Sequence, residues 1–248
     1  MKSDQRWTDR VKSAVPDSLF YRLIAASFRV RTERRMLFVD EFVPRGSTAV
    51  DVGAWWGPWT YWTARRASTV WAFEPNPRLA SFLARVVSPN VRVENVALSD
   101  RAGTGTLFAP RTVGRDALAT LSAAHSEPGA QTYDVPLRPL DDYGLEDVGF
   151  VKLDVEGHEF EVLKGAEETL ARCGPTLLVE IDQALNDEPI GRIFDWLSSR
   201  GFEGRVRRNG AWASLATFDA RVDQPAGGDA QSDRYINDFV FSPRPPRR

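Results

Sequence analysis

From residue 47 to residue 241, short β-branched and apolar runs alternate with stretches whose apolar positions recur every three or four residues. That alternation predicts a parallel sheet with crossover helices, a doubly wound α/β fold. STAVDVG (47–53) reads as the first strand and 57–66 as its helix, and TVWAFEP (69–75) as the second strand, followed by a helix over 77–87 with Pro77 in its first turn. VRVENVAL (91–98) is the third strand. GTGTLFAP (103–110) is a short extra one, and the stretch 111–133, rich in Ala, Ser, Thr and Gly, is expected to be a long loop. VGFVKLDVEG (148–157) is nearly continuous in apolar character and acidic at its end, as a buried central parallel strand should be. A helix over 159–172 follows, with Phe160, Leu163, Ala166 and Leu170 on one face and Gly174-Pro175 stopping it. PTLLVEI (175–181) is another buried strand and 190–200 another helix. The runs 204–215 and 235–241, split by a polar linker over 219–233, predict an antiparallel pair at the sheet edge.

Ahead of the sheet, Leu19, Leu23, Ala26, Val30, Met36 and Leu37 stand at helical spacing among arginines, so residues 1–45 read as an N-terminal helical cap. Residues 46–242 form the expected α/β domain, and 243–248 a disordered, proline-rich tail. The cluster Arg29, Arg31, Arg34, Arg35 reads as a solvated helix face.

Composition narrows the function. In 248 residues, 42% are hydrophobic, enough for a packed core. A formal net charge of -2 with a pI near 5.8 gives no cationic field for a phosphate backbone, so no nucleic-acid partner is expected. Cys173 is the single cysteine and allows no intramolecular disulfide, while MKSDQRWTDR lacks the apolar core of a secretory signal. No apolar run approaches the roughly 20 residues that span a bilayer. A cytoplasmic chain without stable membrane insertion is expected, with a homo-oligomer left open.

Ligands of such sheets bind outside the carboxyl ends of the strands, near the point where strand order reverses. There the predicted strands leave Asp51, Gly53 and Gly57; Glu74 and Asn76; Asn95 to Ser99; Asp154, Glu156 and His158; Glu180 and Asp182. Crowded carboxylates repel one another unless the ligand is cationic or offers hydroxyl and amine donors. A phosphate-rich nucleotide fits poorly, and the loop reads G-A-W-W-G, which is neither G-x-G-x-x-G nor a P-loop. What remains is a nucleoside with a positive centre, its ribose hydroxyls on Glu74.

The ordered blocks VDVGAWWGPWT, VWAFEPNPRLASFL, VENVALSD, VPLRPLDDY, FVKLDVEGHEFEVLKGAEETL and LLVEI resemble the FkbM-type methyltransferases of the class I S-adenosylmethionine-dependent superfamily, over roughly 48–181. The resemblance implies a Rossmann-like, mostly parallel seven-stranded sheet with an antiparallel edge hairpin. It implies S-adenosylmethionine as cofactor and methyl transfer to oxygen, with a hydroxyl of a sugar, glycolipid or secondary metabolite as acceptor. By the same resemblance Asp51, Gly53 and Gly57 line the methionine end, Glu74 takes the ribose, Asn95 and Ala97 flank the adenine, and Asp154 lies beside the transferring methyl; Asn76 is a further candidate cofactor-binding residue. A methyltransferase of nucleic acid or protein, or a non-catalytic ligand-binding protein of the same fold, is the alternative.

An alcohol acceptor must lose a proton. Asp154 and His158 are the candidate catalytic groups, with His125 in the long loop as a further base. Asp154 with Glu180 is also a candidate pair for magnesium, although no spacing demands a metal. Lys152, inside a buried strand, is expected to pair with a carboxylate. Gly53 and Gly57 are expected to let the backbone approach the ligand. Trp59 and Trp62 are expected in the core or against the cap, while Trp55 and Trp56 stand between wall of the site and core.

Overall fold

The computed structural model describes residues 11–32, 34–111, 115–208, 210–228, 232 and 234–245. In chain order these form α1 (Asp17–Ser27), α2 (Val39–Phe42), β1 (Thr48–Val52), α3 (Pro58–Thr63), β2 (Thr69–Phe73), α4 (Pro77–Val86), β3 (Val91–Glu94), β4 (Ala97–Leu98), β5 (Gly103–Ala109), β6 (Gln131–Arg138) and β7 (Val148–Leu153). The second half holds α5 (Glu159–Lys164), α6 (Glu167–Cys173), β8 (Thr176–Glu180), α7 (Gly191–Ser199), β9 (Phe202–Arg208), β10 (Ala211–Ser214), α8 (Ala220–Asp223) and β11 (Asp238–Pro243). The side chains of Arg31, Arg34 and Arg35, part of the expected basic face, and residues 246–248 of the expected tail lie outside the described residues.

The main sheet runs β10-β9-β11-β8-β7-β1-β2-β3. Its parallel part, β3-β2-β1-β7-β8, reverses direction of growth between β1 and β7, which places the switch point there. Alternating side chains feed two cores. Val50, Val52 and Leu153 pack with Val162, Leu163, Leu170, Ile193 and Leu197 of α5, α6 and α7 on one face. Ala49, Phe150 and Val70 pack with Phe20, Ile24, Phe42, Trp59 and Leu83 of α1 to α4 on the other. Each such side chain withdrawn from water contributes about 1.5–3 kcal/mol toward the layered fold.

The structure corrects several expectations. The sheet has eight strands where seven were expected, because Gly210 (φ 82°) turns the single run 204–215 into the β9–β10 hairpin. The antiparallel partner of β9 is β11 as foreseen, but β11 sits inside the sheet between β8 and β9, and β10 forms the edge. The third strand breaks after Glu94, and Ala97–Leu98 join a separate small sheet ordered β4-β6-β5. Strand β6, where a loop was expected up to Tyr133, pairs along its length with β5. The helix over 159–172 is two, divided at Gly165-Ala166, and a Cβ on Gly165 would come within 1.9 Å of the Ser99 carbonyl oxygen. Pro243, assigned to the tail, extends β11 against Phe202, and the Arg244 N–H reaches the Gly201 carbonyl at 2.8 Å.

The N-terminal helix also shows a different face from the one expected. Phe20, Tyr21, Ile24 and Ala25 are buried, whereas Leu19 and Leu23 are 44% and 38% exposed. Both sets have helical spacing, and the aromatic residues win because they fill the space beside Trp56 and Phe82. No described helix is long and apolar enough to cross a membrane.

Candidate active site

At the switch point β1 and β7 deliver Gly53 and Asp154 side by side. The Asp154 N–H donates to the Val52 carbonyl (3.2 Å), and a Cβ on Gly53 would lie 1.9 Å from the Asp154 carbonyl oxygen. Gly53 also has φ 75°, a conformation that costs an L-residue about 1–2 kcal/mol. Gly57 has the same need for a different neighbour, since its Cβ would meet Leu83 at 2.6 Å and Tyr21 at 2.9 Å. Both glycines answer close approaches within the chain.

Beneath this loop Lys152 pairs with a carboxylate as its buried position predicts. Its ammonium donates to the Gly53 carbonyl at 2.9 Å and lies 3.2 Å from Asp154 Oδ2 and 3.8 Å from Asp51 Oδ1. Asp51 is fully buried, and its Oδ2 accepts the Thr60 hydroxyl at 2.5 Å. Burial raises its pKa, opposed by Lys152 and the Thr60 hydroxyl. Oδ1 accepts no hydrogen bond and faces the Lys152 ammonium at 3.8 Å.

Glu74, at the end of β2, is held by two backbone donors, one on each oxygen. The Trp55 N–H donates to Oε2 at 2.7 Å and the Asn76 N–H to Oε1 at 2.8 Å. Each oxygen keeps further acceptor capacity beyond these two bonds. Burial pushes the carboxyl up to about 7 against those two N–H donors. Asn76 caps α4, accepting from the Arg78 N–H at 3.1 Å. Asn95 spends its amide on the carbonyls of Glu74 (2.9 Å) and Pro75 (2.8 Å), pinning the turn that carries Glu74. Ala97 lies in β4, packed with Leu107 and Val135.

The tryptophans divide. Trp56 is core, edge-on to Phe20 and Phe82, and Trp59 is buried against Phe150. Trp62 donates its indole N–H to the Ala25 carbonyl (2.9 Å), fastening α3 to α1. Trp55 alone belongs to the site. It holds φ 51°, outside the usual range for an L-residue, with its N–H on Glu74 and its indole N–H on Asp116 at 2.8 Å. Asp116, buried in the 111–133 stretch and also paired with Arg78, is a residue the sequence did not single out; only the length of that loop pointed to it.

Beside Asp154 opens a cavity of about 270 Å³ lined by Asp154, Glu156, Glu159, Glu180, Asp182 and Asn237, with Leu118, Ala184 and Leu185. Glu156 stands at φ 52°, and burial together with Asp154 and Glu180 drives its pKa well up. Glu159 is buried and pushed to about 7. Glu180 accepts the Asn237 amide at 2.6 Å, and Asp182 accepts the Tyr235 hydroxyl at 2.7 Å.

His158 is not among these lining residues. Its Nε2 meets the Ser99 hydroxyl at 3.0 Å, its Nδ1 lies 3.8 Å from Glu161, and burial lowers its pKa. His158 thus stands apart from Asp154 in the structure, beyond the positive-φ turn at Glu156-Gly157. His125, the other histidine, lies 3.9 Å from Asp187. Among the described residues no group of three or more His, Cys, Asp or Glu side chains is arranged to hold a metal ion, so nothing here supports the magnesium pair.

Comparison with known proteins agrees with this architecture. The family model described as the methyltransferase FkbM domain matches residues 43–203. The 2-O-methyltransferase NoeI of Sinorhizobium fredii is 31% identical over 170 residues, covering 57% of this chain and 70% of that protein. AMB antimetabolite synthetase AmbE of Pseudomonas aeruginosa is 24% identical over 261 residues, and the match spans 84% of this chain but 12% of AmbE. In fold, the crystal structure of methyltransferase FkbM from Methylobacillus flagellatus KT aligns with a TM-score of 0.52 at 14% identity, over 92% of this chain and 55% of that one.

Proposed function

The chain belongs to the FkbM methyltransferase family, and from that membership and the geometry of its site we propose that it moves a methyl group from S-adenosylmethionine to a hydroxyl oxygen of a sugar, glycolipid or secondary metabolite. The observation that carries the reading is the Glu74 carboxylate, fixed by one backbone N–H on each oxygen with a lone pair left on both. That carboxylate accepts the two hydroxyls of a ribose. Asp51, buried beside Lys152, supplies a second carboxylate at the amino-acid end of the cofactor. A hydroxyl acceptor is favoured by the likeness to NoeI, named a 2-O-methyltransferase.

S-adenosylmethionine supplies a methyl already activated by a positive sulfur, so the oxygen–carbon bond forms as the sulfur–carbon bond breaks. The protein's part is alignment, exclusion of water and removal of the hydroxyl proton. Asp154 stands at the mouth of the cavity with its side chain 25% exposed and its Oδ2 near the Lys152 ammonium. It takes the proton from the acceptor hydroxyl. Lys152 holds the carboxylate in place through the Gly53 carbonyl.

Isothermal titration of wild type and Glu74→Ala with S-adenosylhomocysteine tests the reading. Micromolar binding by wild type and a loss of tenfold or more in the variant are expected, since a charge-assisted hydrogen bond contributes about 1.5–3 kcal/mol. Absence of saturable binding by wild type overturns the cofactor class.

A further inference from the structure

Asp116 arrives from the stretch between β5 and β6, and its side chain is completely buried. Its two oxygens are divided between two partners: Oδ1 accepts the Trp55 indole N–H at 2.8 Å, and Oδ2 is paired with the Arg78 guanidinium. The chain nearby is anchored without that carboxylate. Thr120 exchanges both backbone hydrogen bonds with Phe108, at 2.8 and 3.0 Å, and its hydroxyl donates to the Glu156 carbonyl at 2.9 Å. Burying a carboxylate is costly even when it is paired, and a segment already tied down gains little from one as a fastening. What the charge fixes is its two partners.

Each partner leads to one oxygen of Glu74. The Trp55 N–H donates to Oε2 at 2.7 Å while its indole reaches Asp116, so a single residue is held at both ends. It stands at φ 51°, and a bulky residue stays in that region only where its surroundings over-determine it. Those surroundings are Glu74, Asp116 and the Phe28 ring, 5.0 Å away between centroids. Arg78 leads to the other oxygen. Its backbone N–H donates to the Asn76 side chain at 3.1 Å, closing the turn in which the Asn76 N–H donates to Oε1 at 2.8 Å.

We propose that Asp116 is a positioning residue for ribose recognition: through Trp55 and Arg78 it braces the two backbone donors that orient the Glu74 carboxylate. The inference rests on the methyl-transfer reading above, in which Glu74 takes the ribose, and adds to it a residue that acts through others. Without the brace, Trp55 relaxes toward negative φ, its N–H leaves Oε2, and the carboxylate pivots on the Asn76 N–H alone. Two hydroxyls then no longer meet two fixed oxygens. The loss falls on the ribose hydroxyls and not on the cofactor as a whole.

The test compares S-adenosylhomocysteine with its 2′-deoxyribose analogue by isothermal titration at about pH 8.5, where Glu74, with its pKa of about 7, is ionised. Wild type is expected to prefer the ribose by at least about tenfold, the lower end of what a charge-assisted hydrogen bond supplies. Asp116→Ala, and Trp55→Phe, which keeps a ring against Phe28 but loses the indole N–H, are each expected to shrink that preference to within about threefold. The double variant is expected to lose no more than Asp116→Ala alone, because both changes break one linkage. Melting temperatures verify that each variant is folded, and Trp55→Phe gives the same readout where Asp116→Ala does not fold. An undiminished preference in the variants, or an equal loss of affinity for both ligands, overturns the inference and leaves Asp116 a fastening of its loop. A wild type that binds both ligands equally overturns it while the cofactor class stands. If wild type does not bind S-adenosylhomocysteine, the methyl-transfer reading fails and the inference falls with it.

Discussion

The backbone N–H of Trp55 donates to Oε2 of Glu74 across 2.7 Å, so a left-handed residue in one loop aims the carboxylate at the end of the neighbouring strand. The same carboxyl is held near pH 7 by burial, against an ordinary value of 4.5. Between those values the folded chain keeps a proton that the unfolded chain has released. Its contribution to stability therefore falls as pH rises from about 4.5 to about 7 and is level above, with a slope of up to about 1.4 kcal/mol per pH unit. Binding has the opposite sign, because only the ionised carboxylate accepts two ribose hydroxyls. Affinity for S-adenosylhomocysteine is expected to rise from about pH 6 and level off above about pH 8, and Glu74→Gln to flatten both profiles. Urea denaturation and titration across that range check the two signs separately; an affinity independent of pH removes the ribose from Glu74.

Gly53 and Gly46 make a controlled pair. Both hold positive φ, 75° and 77°, but a Cβ on Gly53 would strike the Asp154 carbonyl oxygen whereas one on Gly46 meets nothing within 4 Å. Gly46→Ala is expected to cost about 1 kcal/mol, the conformational term alone. Gly53→Ala adds a backbone clash and is expected to cost at least about 3 kcal/mol, as chemical denaturation would show. Equal losses would mean that the β1–β7 contact is loose and that the site has no fixed floor.

Much of this molecule is written in local pattern. The runs at Val50, Phe73, Phe150 and Val179 are legible as buried strands because both faces of a parallel sheet are covered, and Lys152 is legible because a charge inside such a strand demands a partner. Spacing did not show which of two helical faces α1 buries, since Leu19 and Phe20 satisfy the same periodicity and only the hole beside Trp56 selects. It also missed β6, whose polar, half-exposed alternation (Thr132, Asp134, Pro136) looks like loop until β5 is laid beside it. At the site, Glu74 and Asp154 were readable from strand ends. Asp116, Glu159 and Asn237 were not, because each arrives from an element whose position depends on long-range packing.

Asp154 and His158, four positions apart, separate the two candidate bases by where their side chains end. Asp154 lines the cavity and faces Lys152 at 3.2 Å, whereas His158 is hydrogen-bonded to Ser99 and absent from the wall. General-base catalysis is worth about 10²–10⁴-fold, so Asp154→Asn is expected to lower kcat by at least about a hundredfold. Cofactor affinity should stay within a few-fold, because the amide keeps the shape of the side chain and the Gly53–Lys152 contact remains. His158→Gln, which retains a polar partner for Ser99, is expected to leave kcat within about twofold and to act on stability alone. Initial rates with a hydroxylated acceptor, set against S-adenosylhomocysteine titrations of the same preparations, distinguish the cases. A large kcat loss in His158→Gln with a silent Asp154→Asn would move the proton to the histidine and require its ring to swing away from Ser99 during turnover.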